Sequence, residues 1–198
     1  TRAEDLPTFL AIDENFSSLW NFNVVHSDVK GGPTSSLSSG TAKISSGVGR
    51  SLAGEGYFEN STNLYIWGPD NASVKFSYKI EENGTPNVLD LYLKLEDPDG
   101  IEVSLVERNL KWDSTNTWLS IDQPIFAFAE KKGFYGVMKL GISYITNDNM
   151  DNACVSVSFD NLRLELKKSI ENVARYGTIE HEAQNLYIPS QTHVYETG

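Results

Sequence analysis

Val74, Phe76, Tyr78 and Ile80 alternate with Ser73, Lys75, Ser77, Lys79 and Glu81. Leu89, Leu91, Leu93 and Leu95 repeat the pattern against Asp90, Lys94 and Glu96, and Met138, Leu140, Ile142 and Tyr144 repeat it again. A side-chain period of two puts one face of an extended chain in a core and the other in water, so these segments predict half-buried strands. Turn chemistry separates them: Asn83-Gly84-Thr85-Pro86, Asp97-Pro98-Asp99-Gly100, Asp113 to Asn116, and Asn147 to Asn152. Short strands punctuated in this way predict an all-β fold, an antiparallel β-sandwich of jelly-roll type.

The last strand carries a local irregularity. Val155, Val157 and Phe159 are apolar at odd positions, whereas Leu162, Leu164 and Leu166 are apolar at even ones. A slip of one residue would turn half the strand inside out unless an extra residue is absorbed, so a β-bulge is predicted at Asp160-Asn161. The bulge re-aims the Asp160 carboxylate, which then needs a partner: a metal, a backbone amide or a turn.

The sandwich is expected to fill residues 1–167, with residues 168–198 as a C-terminal arm. Alternation is lost after Leu166-Lys167-Lys168. Ile170, Val173 and Tyr176 recur every three residues, as in a short helix ended by Gly177, and a polar, extended segment around Pro189 follows. The one biased stretch, rich in Ser and Gly from Gly31 to Gly49, is expected to be a long loop.

Composition narrows the function classes. Sixteen basic against 27 acidic residues give a net charge of −11. Nucleic-acid backbones and anionic membrane surfaces both need a basic protein face, so neither is an expected partner. No apolar run reaches the ~20 residues that cross a bilayer, so membrane insertion is not expected. The single cysteine, Cys154, excludes an internal disulfide or a thiolate metal cluster. The chain begins at Thr1, and a processed chain at an extracellular or cell-surface location is the expectation.

Catalytic motifs are missing. No Gly-x-Ser-x-Gly elbow occurs, His26, His181 and His193 are scattered, and Gly47-Val48-Gly49-Arg50 lacks the lysine of a phosphate loop. No pair of acids on one strand, flanked by aromatics, suggests sugar hydrolysis. The expectation is therefore a non-enzyme, with a polysaccharide-processing enzyme as the minor alternative. Calcium is the cation that suits Asp/Asn-rich segments such as Asn147 to Asn152.

Ile12-Asp13-Glu14-Asn15-Phe16-Ser17 with Trp20, and Val157-Ser158-Phe159-Asp160-Asn161-Leu162-Arg163-Leu164, resemble the first and last strands of galactose-binding-domain-like jelly rolls, the fold of many carbohydrate-binding modules. Concanavalin-like sandwiches share similar end motifs. The resemblance implies a structural calcium held by Asp160 together with Asp13 and Glu14. It also implies a glycan ligand, for which stacking aromatics are needed. Trp112 and Trp118, which flank a polar turn, are the foremost candidates, followed by Trp67 and Trp20. Four Asn-x-Ser/Thr sequons, at Asn15, Asn60, Asn71 and Asn83, are compatible with a secreted glycoprotein.

Two functions follow. The first is a glycan-binding, calcium-stabilised, non-catalytic module whose partner is a polysaccharide. The second is a structural subunit of a self-assembling surface filament or layer, in which copies of the chain are the partners and a terminal arm adds a strand to a neighbour.

Overall fold

The computed structural model describes residues 8–16, 20–27, 33–46, 53–64, 71–83, 86–125, 134–146 and 154–167. They form eleven strands: β1 (Thr8–Glu14), β2 (Asn21–Ser27), β3 (Thr34–Ser38), β4 (Thr41–Ser45), β5 (Ala53–Leu64), β6 (Asn71–Asn83), β7 (Val88–Glu96), β8 (Glu102–Asn109), β9 (Leu119–Ile125), β10 (Phe134–Ile145) and β11 (Val155–Lys167). All pairings of these strands are antiparallel. One sheet runs β3-β4-β11-β6-β9 with β1 also on β11; the other runs β2-β5-β10-β7-β8. The architecture is the expected antiparallel β-sandwich. The proposed arm, residues 168–198, lies outside the described residues, as do Trp67 and the segment from Asn147 to Asn152.

The alternating apolar residues meet between the sheets. Val74, Phe76, Tyr78 and Ile80 of β6 and Val157, Phe159, Leu162 and Leu164 of β11 are buried from one side. Leu89, Leu91, Leu93 and Leu95 of β7 and Met138, Leu140, Ile142 and Tyr144 of β10 are buried from the other. Each such side chain removed from water contributes roughly 1.5–3 kcal/mol before the entropy of ordering is counted.

The phase change in β11 is resolved by a bulge. Asp160 pairs with Ser77 and Arg163 with Lys75, so Asn161 and Leu162 together face the single residue Phe76. Asn161 adopts φ +54°, and the extra residue keeps both Phe159 and Leu162 pointing inward. Below the bulge β11 pairs with β4, and above it with β1.

The Ser/Gly-rich stretch corrects an expectation. Instead of a long loop, residues 34–45 form the hairpin β3–β4. Ser39 and Gly40 both have positive φ, 48° and 86°, which matches the right-handed twist of a two-residue hairpin turn. Ala42 and Ile44, both fully buried, supply a two-residue period that the surrounding serines conceal in the sequence.

Candidate functional site

The two outer faces of the sandwich differ. On the sheet containing β11, the exposed side of β6 carries lysines already paired: Lys75 with Glu165 at 2.8 Å, Lys79 with Glu81 at 3.4 Å, and Lys43 of β4 with Glu81 at 2.6 Å. A depression of about 290 Å³ there is lined by Lys75, Ser77, Ser120, Asp122, Asn161 and Arg163, with no aromatic ring on its outer side.

The other sheet presents an ordered polar lattice. Its inward positions are filled by leucines and aromatics, so register alone assigns the outward ones. Asn23 of β2 faces Tyr57 of β5, Tyr57 faces Gly141 of β10, Gly141 faces Tyr92 of β7, and Tyr92 faces Glu107 of β8. One straight row thus crosses all five strands, a span of about 19 Å at the usual ~4.8 Å strand spacing. On one side of it lies the row Glu55, Ser143, Asp90 and Asn109; on the other lies Asn21, Glu59, Lys139, Lys94 and Ser104.

Gly141 sets the floor of this lattice. A Cβ at that position would lie 2.5 Å from the Gly56 carbonyl oxygen, 2.6 Å from Tyr57 Cβ and 2.7 Å from Tyr92 Oη. Glycine therefore lets the two tyrosines close over the middle strand. Lys139 Nζ lies 4.9 Å from the Tyr57 ring centroid and Lys94 Nζ lies 4.8 Å from that of Tyr92. The ammonium groups are fixed in turn: Lys139 pairs with Glu96 and, at 3.6 Å, with Glu102, while Lys94 lies 3.5 Å from Glu102.

Tyr92 is only 8% exposed. Burial, then the nearby Glu55 charge, pushes its hydroxyl well above the ordinary tyrosine range. It is held as a neutral donor at any physiological pH. A depression of about 400 Å³ beside it is lined by Asp90, Tyr92, Lys94, Glu107, Arg108, Asn109 and Ser143. Hydroxyls, amides and carboxylates at regular spacing suit a ligand made of repeating hydroxyl groups.

Trp112 and Trp118 occupy the β8–β9 connection, where Trp112 is 85% exposed and Trp118 43% exposed. Trp118 does not join the lattice. It precedes the inward Leu119, and Lys79 of the opposite sheet's outer face lies 5.1 Å from its ring. Trp20 is a correction: it is 6% exposed and packs on Phe16 with ring centroids 5.4 Å apart. Phe16 sits at φ +54°, and both rings lie in the core.

Two of the three expected calcium ligands, Asp160 and Asp13, have protein partners. Asp160 Oδ1 accepts the Asn161 backbone N–H at 2.7 Å, so the bulge itself supplies the partner its carboxylate needs. Asp13 pairs in register with Arg163, whose Nε is 3.6 Å from Asp13 Oδ1. Glu14 lies opposite Leu162 in β1, and its side chain is outside the described residues. Among the described residues no three His, Cys, Asp or Glu side chains gather around a point where a cation could sit. Of the sequons, Asn15 is exposed, whereas Asn60 is half-buried and shares the inward phase of Phe58; Asn71 and Asn83 stand at the two ends of β6.

No protein-family model and no curated protein sequence matches the chain. Solved structures do. The N-terminal CBM22-1–CBM22-2 tandem domain of Xyn10C from Paenibacillus barcinonensis superposes with a TM-score of 0.52 at 14% identity, over 81% of this chain and 50% of that one. The fold is the β-sandwich of carbohydrate-binding modules. A family 11 carbohydrate-binding module from Clostridium thermocellum, in complex with a β-1,3-1,4-mixed-linked tetrasaccharide, gives 0.48 at 12% identity, over 82% and 96% of the two chains. The xylan-binding module CBM15 gives 0.46 at 12% identity, over 79% and 97%.

Sequence reasoning missed Asn23, Tyr57, Tyr92, Glu107 and Gly141. A signal for one of them was available: Tyr92 is the single aromatic residue among the outward positions of the Leu89–Leu95 alternation.

Proposed function

We propose that this chain is a non-catalytic module that binds an uncharged, hydroxyl-rich polysaccharide across the outer face of the sheet β2-β5-β10-β7-β8. The observation that carries this is the row Asn23–Tyr57–Gly141–Tyr92–Glu107, which crosses every strand of that sheet in register. An extended sugar chain laid across the strands meets a polar side chain on β2, β5, β7 and β8, with Gly141 of β10 as the floor between the two tyrosines.

Charge selects among ligands. The lattice holds Glu55, Glu59, Asp90, Glu96, Glu102 and Glu107 against Lys94 and Lys139, and both lysines are held close to glutamates. Uronate or sulfate groups would meet like charge in this field, which costs binding free energy and slows encounter. Neutral glycans meet no such penalty. The β-sandwich fold shared with carbohydrate-binding modules supports a glycan ligand. This reading assigns no function to calcium: Asp160 accepts the Asn161 amide and Asp13 lies beside Arg163.

Affinity electrophoresis through gels containing soluble neutral polysaccharides tests the proposal. Retardation of the chain, lost in a Tyr57→Ala variant that melts as a folded protein, is the expected result. Equal migration of both proteins in every gel contradicts it.

A further inference from the structure

Among the described residues, the most exposed large apolar side chain stands just beyond the lattice, at the end of β8. We infer that Trp112 is a stacking subsite that extends the polysaccharide path past the edge strand, receiving the apolar face of a pyranose ring after the chain leaves Asn109. This rests on the polysaccharide reading of the lattice.

Placement comes first. Asn109 is the β8 member of the row Glu55–Ser143–Asp90–Asn109 and lines the 400 Å³ depression. Its Oδ1 accepts the Lys111 backbone N–H at 2.8 Å, so the turn carrying Trp112 is tied directly to the end of that row.

Rigidity comes second. The Leu110 N–H donates to the Leu89 carbonyl at 2.8 Å, the Asp113 N–H to the Leu110 carbonyl at 3.0 Å, and the Asn116 N–H to the Ile80 carbonyl at 2.8 Å. The fully buried Tyr78 donates its hydroxyl to Asp113 Oδ2, and Arg108 Nε lies 3.4 Å from the same oxygen. The turn is thus fastened to strands of both sheets on either side of Trp112, while the indole itself stays 85% exposed, with Lys111 Nζ 4.9 Å from its ring centroid. A flat apolar ring held out from the core on a fixed turn contributes nothing to core packing. Its backbone is already fixed, so stacking on apolar C–H surface has only the indole's own rotamer to order.

Trp118 supplies the internal control, because it lies against Lys79 on the other sheet's outer face. The test titrates the full chain, Trp112→Ala, Trp118→Ala and Tyr57→Ala with barley β-glucan and with soluble xylan, following tryptophan emission and calorimetric affinity. For whichever polymer the full chain binds, Trp112→Ala is expected to weaken binding about tenfold and to abolish the ligand-induced emission shift, at unchanged melting temperature. Trp118→Ala is expected to keep both. Loss of binding in Tyr57→Ala with wild-type affinity in Trp112→Ala overturns the Trp112 subsite and leaves the lattice reading intact. Failure of the full chain to bind either polymer overturns both.

Discussion

The hydroxyl of Tyr78, buried in the centre of β6, donates to Asp113 Oδ2 at 2.5 Å and so fastens the β8–β9 turn to the core. Burial first, and the Asp113 carboxylate second, raise the Tyr78 hydroxyl from the ordinary 10.0 to about 12. The folded protein therefore keeps a proton that the unfolded chain releases. Stability from this group is complete below pH 10 and is lost as pH rises towards 12, by roughly 3 kcal/mol. Tyr78→Phe should cost about 1.5–3 kcal/mol at pH 8, the usual range for a hydrogen bond to a charged group. Thermal melts from pH 8 to 12 should also show a shallower alkaline loss in the variant than in the wild type. Parallel pH profiles for the two proteins contradict the bond's assigned role.

Gly141→Val should damage both the fold and the lattice. The new side chain would press on the Gly56 carbonyl and on both tyrosines, and the first of these is backbone that cannot swing aside. Overpacking of this kind costs about 1–3 kcal/mol. Denaturant titration should show that loss, and at temperatures where the variant remains folded its polysaccharide binding should be at least tenfold weaker. Wild-type stability in Gly141→Val contradicts the close approach of Tyr57 and Tyr92.

The bulge in β11 makes a separate prediction. Asn161 sits at φ +54°, a conformation that costs most L-residues about 1–2 kcal/mol and a β-branched one more. Asn161→Val should lower stability by about 2 kcal/mol, whereas Asn161→Gly should stay within about 1 kcal/mol of wild type. Chemical denaturation of the pair distinguishes a left-handed residue from an ordinary extended one, for which valine would be the better choice.

Calcium should leave the protein's stability unchanged. Asp160 accepts the Asn161 amide and Asp13 faces Arg163, so neither carboxylate needs an ion. Melting temperatures in millimolar calcium and in excess chelator should agree within a degree. A rise of several degrees with calcium contradicts these pairings.

Much of the sandwich was legible in the sequence because it is written in local periodicity. The leucines of β7 and the aromatics of β6 declare their buried face, and the odd-to-even switch between Phe159 and Leu162 places the bulge at Asp160-Asn161, one residue before the doubled pair Asn161 and Leu162. The β3–β4 hairpin was hidden because Ala42 and Ile44 give only two apolar positions among serines. The site was less legible. Tyr57 and Tyr92 lie thirty-five residues apart in sequence and come together because β10, entering later, inserts between β5 and β7. No local pattern encodes that strand order. Tryptophan identity was a poor guide by itself, since Trp20 is buried against Phe16 while Trp112 stands in water.

The most direct test of the whole account is calorimetric titration of the full chain and of Tyr57→Ala with two neutral polymers, barley β-glucan and soluble xylan, and with polygalacturonate. The account predicts measurable binding to at least one neutral polymer, a loss of tenfold or more in Tyr57→Ala at retained fold, and no binding to polygalacturonate. Binding to polygalacturonate alone, or neutral-polymer affinity untouched by Tyr57→Ala, contradicts it.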